Sequence, residues 1–238
     1  MTRVTAAGKT RIGLVQFPGS NCDMDCFDAF RRHFSVELQA VWHTERTLPS
    51  LDALVLPGGF SFGDYLRSGT LAAHAPIMPA VKSFVEKGGA VIGICNGFQI
   101  LTESRLLPGA LLRNESRSFI CKFVNLVPGQ GASVYQQQLA GANLRIPIAH
   151  GEGRYYIDQA GLKRLQDQGQ IAFMYANENG QVSQAANPNG SVANIAGIVS
   201  ENGRVLGMMP HPERATDVLM GGSADGLKIL ESFLATFL

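Results

Sequence analysis

Ala90-Val91-Ile92-Gly93-Ile94-Cys95-Asn96-Gly97-Phe98-Gln99-Ile100-Leu101 begins as a short apolar run and continues with helical character. The run reads as a strand buried on both faces, as in a parallel sheet. Between the halves, Gly93-x-Cys95-x-Gly97 has the spacing of a nucleophile elbow with Cys in place of Ser. A nucleophile on a sharp strand-to-helix turn crowds its neighbours, and glycines on both sides relieve the contact. The turn also sets the sulfur over a helix N-terminus, where unpaired N–H groups favour thiolate. Gln99 lies four residues on and shares a helix face with Cys95, so its amide can hold a polar substrate against the sulfur. At this point a buried structural cysteine in a glycine-bounded turn is the alternative reading.

Working outward, Arg11–Phe17, Val36–Trp42 and Ala53–Leu56 read as strands, with a helix over Asp23–Phe34 capped by Ser20 or Asn21. Strand, helix, strand at this spacing predicts βαβ units and a parallel sheet. Thr70–Lys87 reads as one helix, kinked or restarted at Pro79. Phe119–Val127 and Leu144–Ile148 read as strands of an antiparallel extension. Further strands follow over Ile171–Ala176, Ile195–Ser200 and Val205–Met209, and Asp225–Leu238 closes the chain as an amphipathic helix. The expected fold is a single-domain α/β protein. Its sheet is open and mostly parallel, with helices on both faces and a small antiparallel extension. Residues 1–10 read as a loose tail and 11–238 as the domain.

With 238 residues, 45% hydrophobic and 16% charged, the chain is long and apolar enough for one large core. A formal net charge of +1 argues against nucleic acid as the main partner. No apolar stretch is long enough for a membrane span, and the N-terminus lacks the apolar core of a signal peptide. Four cysteines make no disulfide framework, which points to a reducing cytoplasm. Cys22 and Cys26 lack a second pair of ligands, so no metal is expected.

Pro57-Gly58-Gly59 follows the third strand. The stretch to Gly69 lacks the lysine and spacing of a phosphate-binding loop. Its better use is backbone exposure: the Gly59 N–H can aim at a developing oxyanion, with the Asn96 N–H as second donor. Phe60, Phe62, Tyr65 and Leu66 are apolar for a loop and mark a candidate docking surface. Asn114-Glu115-Ser116 to Lys122 reads equally as a capped strand edge or as functional. His150, between apolar residues and glycines, can be a base, a ligand or a solvated loop residue. Near the end, Met209-Pro210-His211-Pro212-Glu213 boxes a histidine between prolines. Glu213, two residues on, leaves extended chain on the same face and can bond one ring nitrogen, freeing the other to take a proton from sulfur. Nucleophile, base and orienter are then Cys95, His211 and Glu213.

These motifs, in this order over essentially the whole chain, resemble the class I (triad) glutamine amidotransferases. Val15-Gln16-Phe17-Pro18-Gly19-Ser20-Asn21-Cys22-Asp23, Gly58 through Arg67, Asn114-Glu115-Ser116 and His150-Gly151-Glu152-Gly153-Arg154-Tyr155 are similar to a narrower group, the glutaminase subunits of phosphoribosylformylglycinamidine synthases. The resemblance implies attack of Cys95 on the side-chain amide of L-glutamine, loss of ammonia and hydrolysis of a glutamyl thioester. It gives Gln99, His150, Gly151 and Glu152 to the glutamine head group. It also implies a large ATP-dependent synthetase subunit and a small third subunit as partners, with ATP and magnesium in the partner and no cofactor in this chain. The competing readings are a stand-alone cysteine hydrolase or peptidase on a similar sheet, and a non-catalytic scaffold subunit.

Overall fold

The computed structural model describes residues 9–237. The expected tail therefore lies outside the described residues except for its last two positions, and Thr10 already opens the first strand. The strands are β1 (Thr10–Gln16), β2 (Val36–Trp42), β3 (Ala53–Leu56), β4 (Ala90–Ile94), β5 (Ala110–Leu112), β6 (Ile120–Pro128), β7 (Leu144–His150), β8 (Arg154–Tyr156), β9 (Ile171–Ala176), β10 (Ile195–Val199) and β11 (Val205–Met208). The helices are α1 (Asp23–His33), α2 (Thr70–Ala73), α3 (Met78–Glu86), α4 (Asn96–Glu103), α5 (Val134–Gln138), α6 (Gln159–Asp167), α7 (Val218–Gly221) and α8 (Asp225–Leu234).

Nine strands form one sheet in the order β2-β1-β3-β4-β11-β10-β9-β6-β7, and β5 pairs with β8 apart from it. From β2 to β11 every pairing is parallel. From β11 to β7 every pairing is antiparallel, so the extension takes four strands. β3 and β4 are buried at every residue because layers cover both faces, which is why they read as unbroken apolar runs. β7 alternates buried and open positions, as a strand with one covered face does. The Phe30 and Phe233 rings meet edge-on and join α1 to α8.

Strand direction decides where chemistry gathers. β3, β4 and β11 run the same way, so the residues after them emerge at one edge of the sheet. Four successive antiparallel steps turn β7 into that direction too, which brings its last residue, His150, to the same edge. The antiparallel half also curls. The His211 N–H donates to Pro147 O on β7 at 2.9 Å, although β10, β9 and β6 separate β11 from β7 in the sheet. Register shifts between β9 and β10 supply bends for such a curl.

Several local expectations are corrected. Thr70–Lys87 is two helices: α2 ends at Ala73 and α3 begins at Met78, with Pro79 in its first turn, where a missing N–H costs nothing. Cys22, not Ser20 or Asn21, is the N-cap residue of α1, and its side chain makes no capping bond. The Ser20 hydroxyl instead accepts from the Phe17 N–H at 3.2 Å. β7 runs two residues further than expected and includes His150.

Candidate active site

Cys95 sits between β4 and α4 at φ 51°, ψ −104°, a backbone conformation that L-residues rarely adopt. Such strain persists only where the surroundings enforce it. Here the Cys95 N–H donates to Met208 O on β11 at 2.7 Å, locking the turn to the neighbouring strand. The flanking glycines answer a packing demand. A Cβ on Gly93 would lie 2.7 Å from Gly97 O, and one on Gly97 would lie 2.0 Å from Leu56 O. The elbow is as tight as backbone allows. Gly97→Ala is therefore expected to cost roughly 2–4 kcal/mol, because backbone must move to admit the methyl group. Thermal unfolding of the variant checks this: a midpoint within a degree of the parent's would contradict the close approach.

His211 and Glu213 follow β11 across Pro210, and both are buried. His211 Nδ1 and Glu213 Oε1 are 2.6 Å apart. They meet because Pro212–Arg214 forms a turn of 3-10 helix. The extended chain expected between them is not what brings them together. Burial alone would lower the His211 imidazole; the Glu213 carboxylate, and then Cys95, outweigh it and hold it up at about 10. The second nitrogen, Nε2, has no hydrogen-bond partner among the described residues.

A cavity of about 320 Å³ opens beside the sulfur, lined by Gly59, Cys95, Gln99, His150, Gly151 and Glu152 among others. The residues expected from the sequence for glutamine all line this cavity. Gly59 stands at φ 135° in the turn after β3. A Cβ there would meet Gly19 O at 2.6 Å. Asn96 is the first residue of α4, where an N–H has no acceptor within the helix. The Gln99 side chain is engaged within the protein: Oε1 accepts from Asn96 Nδ2 at 2.8 Å and Nε2 donates to Glu152 O at 2.6 Å. It ties the elbow helix to the 150–152 turn. The Glu152 carboxylate accepts from the Ser68 hydroxyl at 2.9 Å. Nearby, burial pushes the Asp64 carboxyl up to about 6; a Ser68 hydrogen bond opposes the shift and the Glu152 charge adds to it.

His150 is buried, which rules out the solvated-loop reading. Burial, then the neighbouring His211 charge, push its imidazole down to about 4. Folding therefore lowers this group from its ordinary 6.5. The stability it contributes is fully present above about pH 6.5 and is lost as pH falls through about 4. The size is roughly 2–3 kcal/mol by about pH 4.5. Urea unfolding of the parent and of His150→Gln at neutral and acid pH checks this: the acid-side loss should be smaller in the variant.

Three contributors carry no sequence signal strong enough to find them. Arg214 donates from Nη2 to Cys22 Sγ at 3.0 Å and from Nε to Asp25 Oδ2 at 2.9 Å, tying α1 to the turn that carries His211 and Glu213. Cys22, His211 and Glu213 bring donor atoms within 4.8 Å of one another, a grouping compatible with a metal. The Arg214 guanidinium puts positive charge on that sulfur instead. Ser68 and Asp64 reach the cavity from a loop whose sequence was read for a backbone donor and for apolar contact, not for these polar side chains. Within that loop Phe62 is half-buried and its ring lies 5.3 Å from His43, so it is not on offer to a partner. Tyr65 and Leu66 are 74% and 85% exposed.

Comparison with known proteins gives this geometry a lineage. A family model described as the CobB/CobQ-like glutamine amidotransferase domain matches residues 9–225. The chain belongs to this family. As an amidotransferase it is 53% identical over 226 residues to the phosphoribosylformylglycinamidine synthase subunit PurQ of Thermomicrobium roseum, covering 94% of this chain and 95% of the relative. The PurQ subunit of Aquifex aeolicus is 51% identical over 220 residues, covering 92% and 96%. Among solved structures, a chain of PurLQS from Thermotoga maritima superposes with a TM-score of 0.82 at 40% identity, covering 96% of this amidotransferase and 99% of that chain. A glutamine amidotransferase from the same organism, at 15% identity, TM-score 0.59 and 96% coverage of both chains, shares the fold.

Proposed function

We infer that this amidotransferase is the glutaminase subunit of a phosphoribosylformylglycinamidine synthase. It hydrolyses L-glutamine to glutamate and ammonia and hands the ammonia to an ATP-dependent synthetase subunit that makes formylglycinamidine ribonucleotide in purine biosynthesis. The observation that carries the reading is the buried His211–Glu213 pair at 2.6 Å beside a strained cysteine elbow. Identity near one half to PurQ subunits over nearly the full length supports the acceptor.

Each residue then has a role. Cys95 Sγ attacks the carboxamide carbon of glutamine. The oxygen that becomes negative is met by the N–H groups of Gly59 and Asn96. His211, holding the thiol proton as imidazolium, passes it to nitrogen, so the C–N bond breaks with ammonia as the leaving group. Glu213 holds Nδ1 and keeps the imidazole oriented and charged. Water, deprotonated by the same His211, then splits the thioester. The 150–152 turn, braced by Gln99, borders the space for the rest of the substrate. Tyr65 and Leu66 beside the cavity suit docking of the synthetase, and the small third subunit completes the assembly. ATP and magnesium belong to the synthetase. A reducing cytoplasm is the fitting compartment.

Mass spectrometry after incubation with a diazo-ketone glutamine analogue tests the reading. One adduct on Cys95, blocked by excess glutamine, is expected, either alone or once the synthetase is present. No adduct in either state would return the chain to the scaffold reading.

A further inference from the structure

The chemistry above uses one histidine of two. The other, His150, has its tautomer fixed by its neighbour Asn114. The Asn114 amide can stand only one way round: Nδ2 donates to His150 O at 2.8 Å and to Ser118 O at 2.9 Å. Its Oδ1 therefore faces the other way and accepts from the Gly153 N–H at 3.2 Å. The same oxygen lies 3.0 Å from His150 Nδ1. An acceptor opposite Nδ1 requires the proton on Nδ1. The ring is held neutral by burial beside His211. A neutral ring protonated at Nδ1 carries a bare lone pair at Nε2. That atom is buried and has no partner among the described residues. A buried acceptor left empty costs free energy, which an N–H donor entering the cavity recovers. His150 lines the cavity that holds Cys95, and the adjoining Ala149 carbonyl lies 3.8 Å from the sulfur.

We propose that His150 Nε2 accepts an N–H of the substrate carboxamide, and that Asn114 is the positioning residue that holds the ring in the accepting tautomer. The proposal rests on the glutaminase reading and adds to it a means of telling amide from ester. Holding one N–H on Nε2 turns the lone pair of that nitrogen away from His150 and towards the proton on His211. As the sulfur–carbon bond forms and the carbon–nitrogen bond breaks, His211 supplies the proton that ammonia carries away. His150 neither gains nor loses one. An ester has no N–H to offer and gains nothing from this acceptor.

The test uses the complex reconstituted with its synthetase and third subunit. It compares kcat/KM for glutamine with that for glutamate γ-methyl ester. His150→Phe, which fills the space without an acceptor, should lower the glutamine-to-ester ratio roughly 10- to 100-fold, the worth of one hydrogen bond to a reacting group. His150→Gln, whose carbonyl can accept, should recover part of it. Asn114→Ala should lower the ratio less, because the ring then samples both tautomers. Both rates falling in parallel, with the ratio unmoved, overturns the proposal and leaves the glutaminase reading standing. An unsubstituted complex that releases no glutamate from glutamine overturns both. Nitrogen-15 NMR of the histidine rings in the unsubstituted chain reads the tautomer without any variant. A proton on Nδ1 of His150 is expected, and one on Nε2 overturns the proposal.

Discussion

Cys95→Ala lowers glutamine hydrolysis by on the order of ten-thousandfold or more, since removing a covalent nucleophile leaves only binding and oxyanion stabilisation. The loss should appear in kcat with little change in glutamine affinity, because the 150–152 turn and the Gln99 brace do not depend on the sulfur. Folding should survive. Alanine at φ 51° is no more strained than cysteine, and the turn is held by backbone, through the bond from residue 95 N–H to Met208 O. Glutamate release in the assembled complex, read beside the thermal midpoint, separates the two effects. A variant that still turned over glutamine would remove Cys95 from the chemistry.

Glu213→Gln is expected to cost about 10²- to 10⁴-fold in kcat, with a change in pH dependence that a packing defect would not produce. Two influences compete at His211. Burial disfavours the imidazolium, and the Glu213 carboxylate at 2.6 Å favours it; the carboxylate prevails and holds the ring at about 10. With a neutral amide in its place, the largest upward pull on the ring is lost and its pKa falls. The imidazolium is the form that protonates departing ammonia. The parent keeps that form across neutral pH, whereas the variant regains it only as pH drops. Its kcat should therefore rise towards acid pH through a range where the parent is flat. The same sign applies to stability. A group raised by folding contributes fully below about pH 6.5, and the contribution is lost as pH rises towards about 10. The variant should lack that alkaline limb. Coincident pH profiles would mean that Glu213 does not govern the ring.

What the sequence disclosed follows from what each residue type must do alone. The parallel half was legible because β3 and β4 are buried on both faces and can only be apolar. The elbow was legible because two glycines at fixed spacing answer a steric demand that few other turns make. His211 and Glu213 were legible as a pair, although the 3-10 turn that joins them was not: two prolines suggested extended chain, whereas Pro212 opens the turn at its first position, where proline is well placed. The break between α2 and α3 was legible in part: Pro79 marked a kink or restart, but apolar spacing that runs on through Ala75 and Pro76 hid where α2 ends. His150 as a strand residue was missed because glycines after it suggested loop. Asn114 lay in a stretch read two ways. Its importance comes from the His150 carbonyl, which the β6–β7 pairing brings close, and from the Ser118 carbonyl four residues on. Arg214 on Cys22 joins residues at opposite ends of the chain, a contact that no local pattern announces.

The lock between Cys95 and Met208 also bears on how the protein is made. A ribosome emits β4 and Cys95 long before β11 and His211, the proposed base. Until β11 inserts between β4 and β10, the nascent sheet has an open seam where the base belongs. On the proposed mechanism, a polypeptide still being synthesised holds Cys95 without its proton carrier, and cannot spend cellular glutamine before β11 is in place.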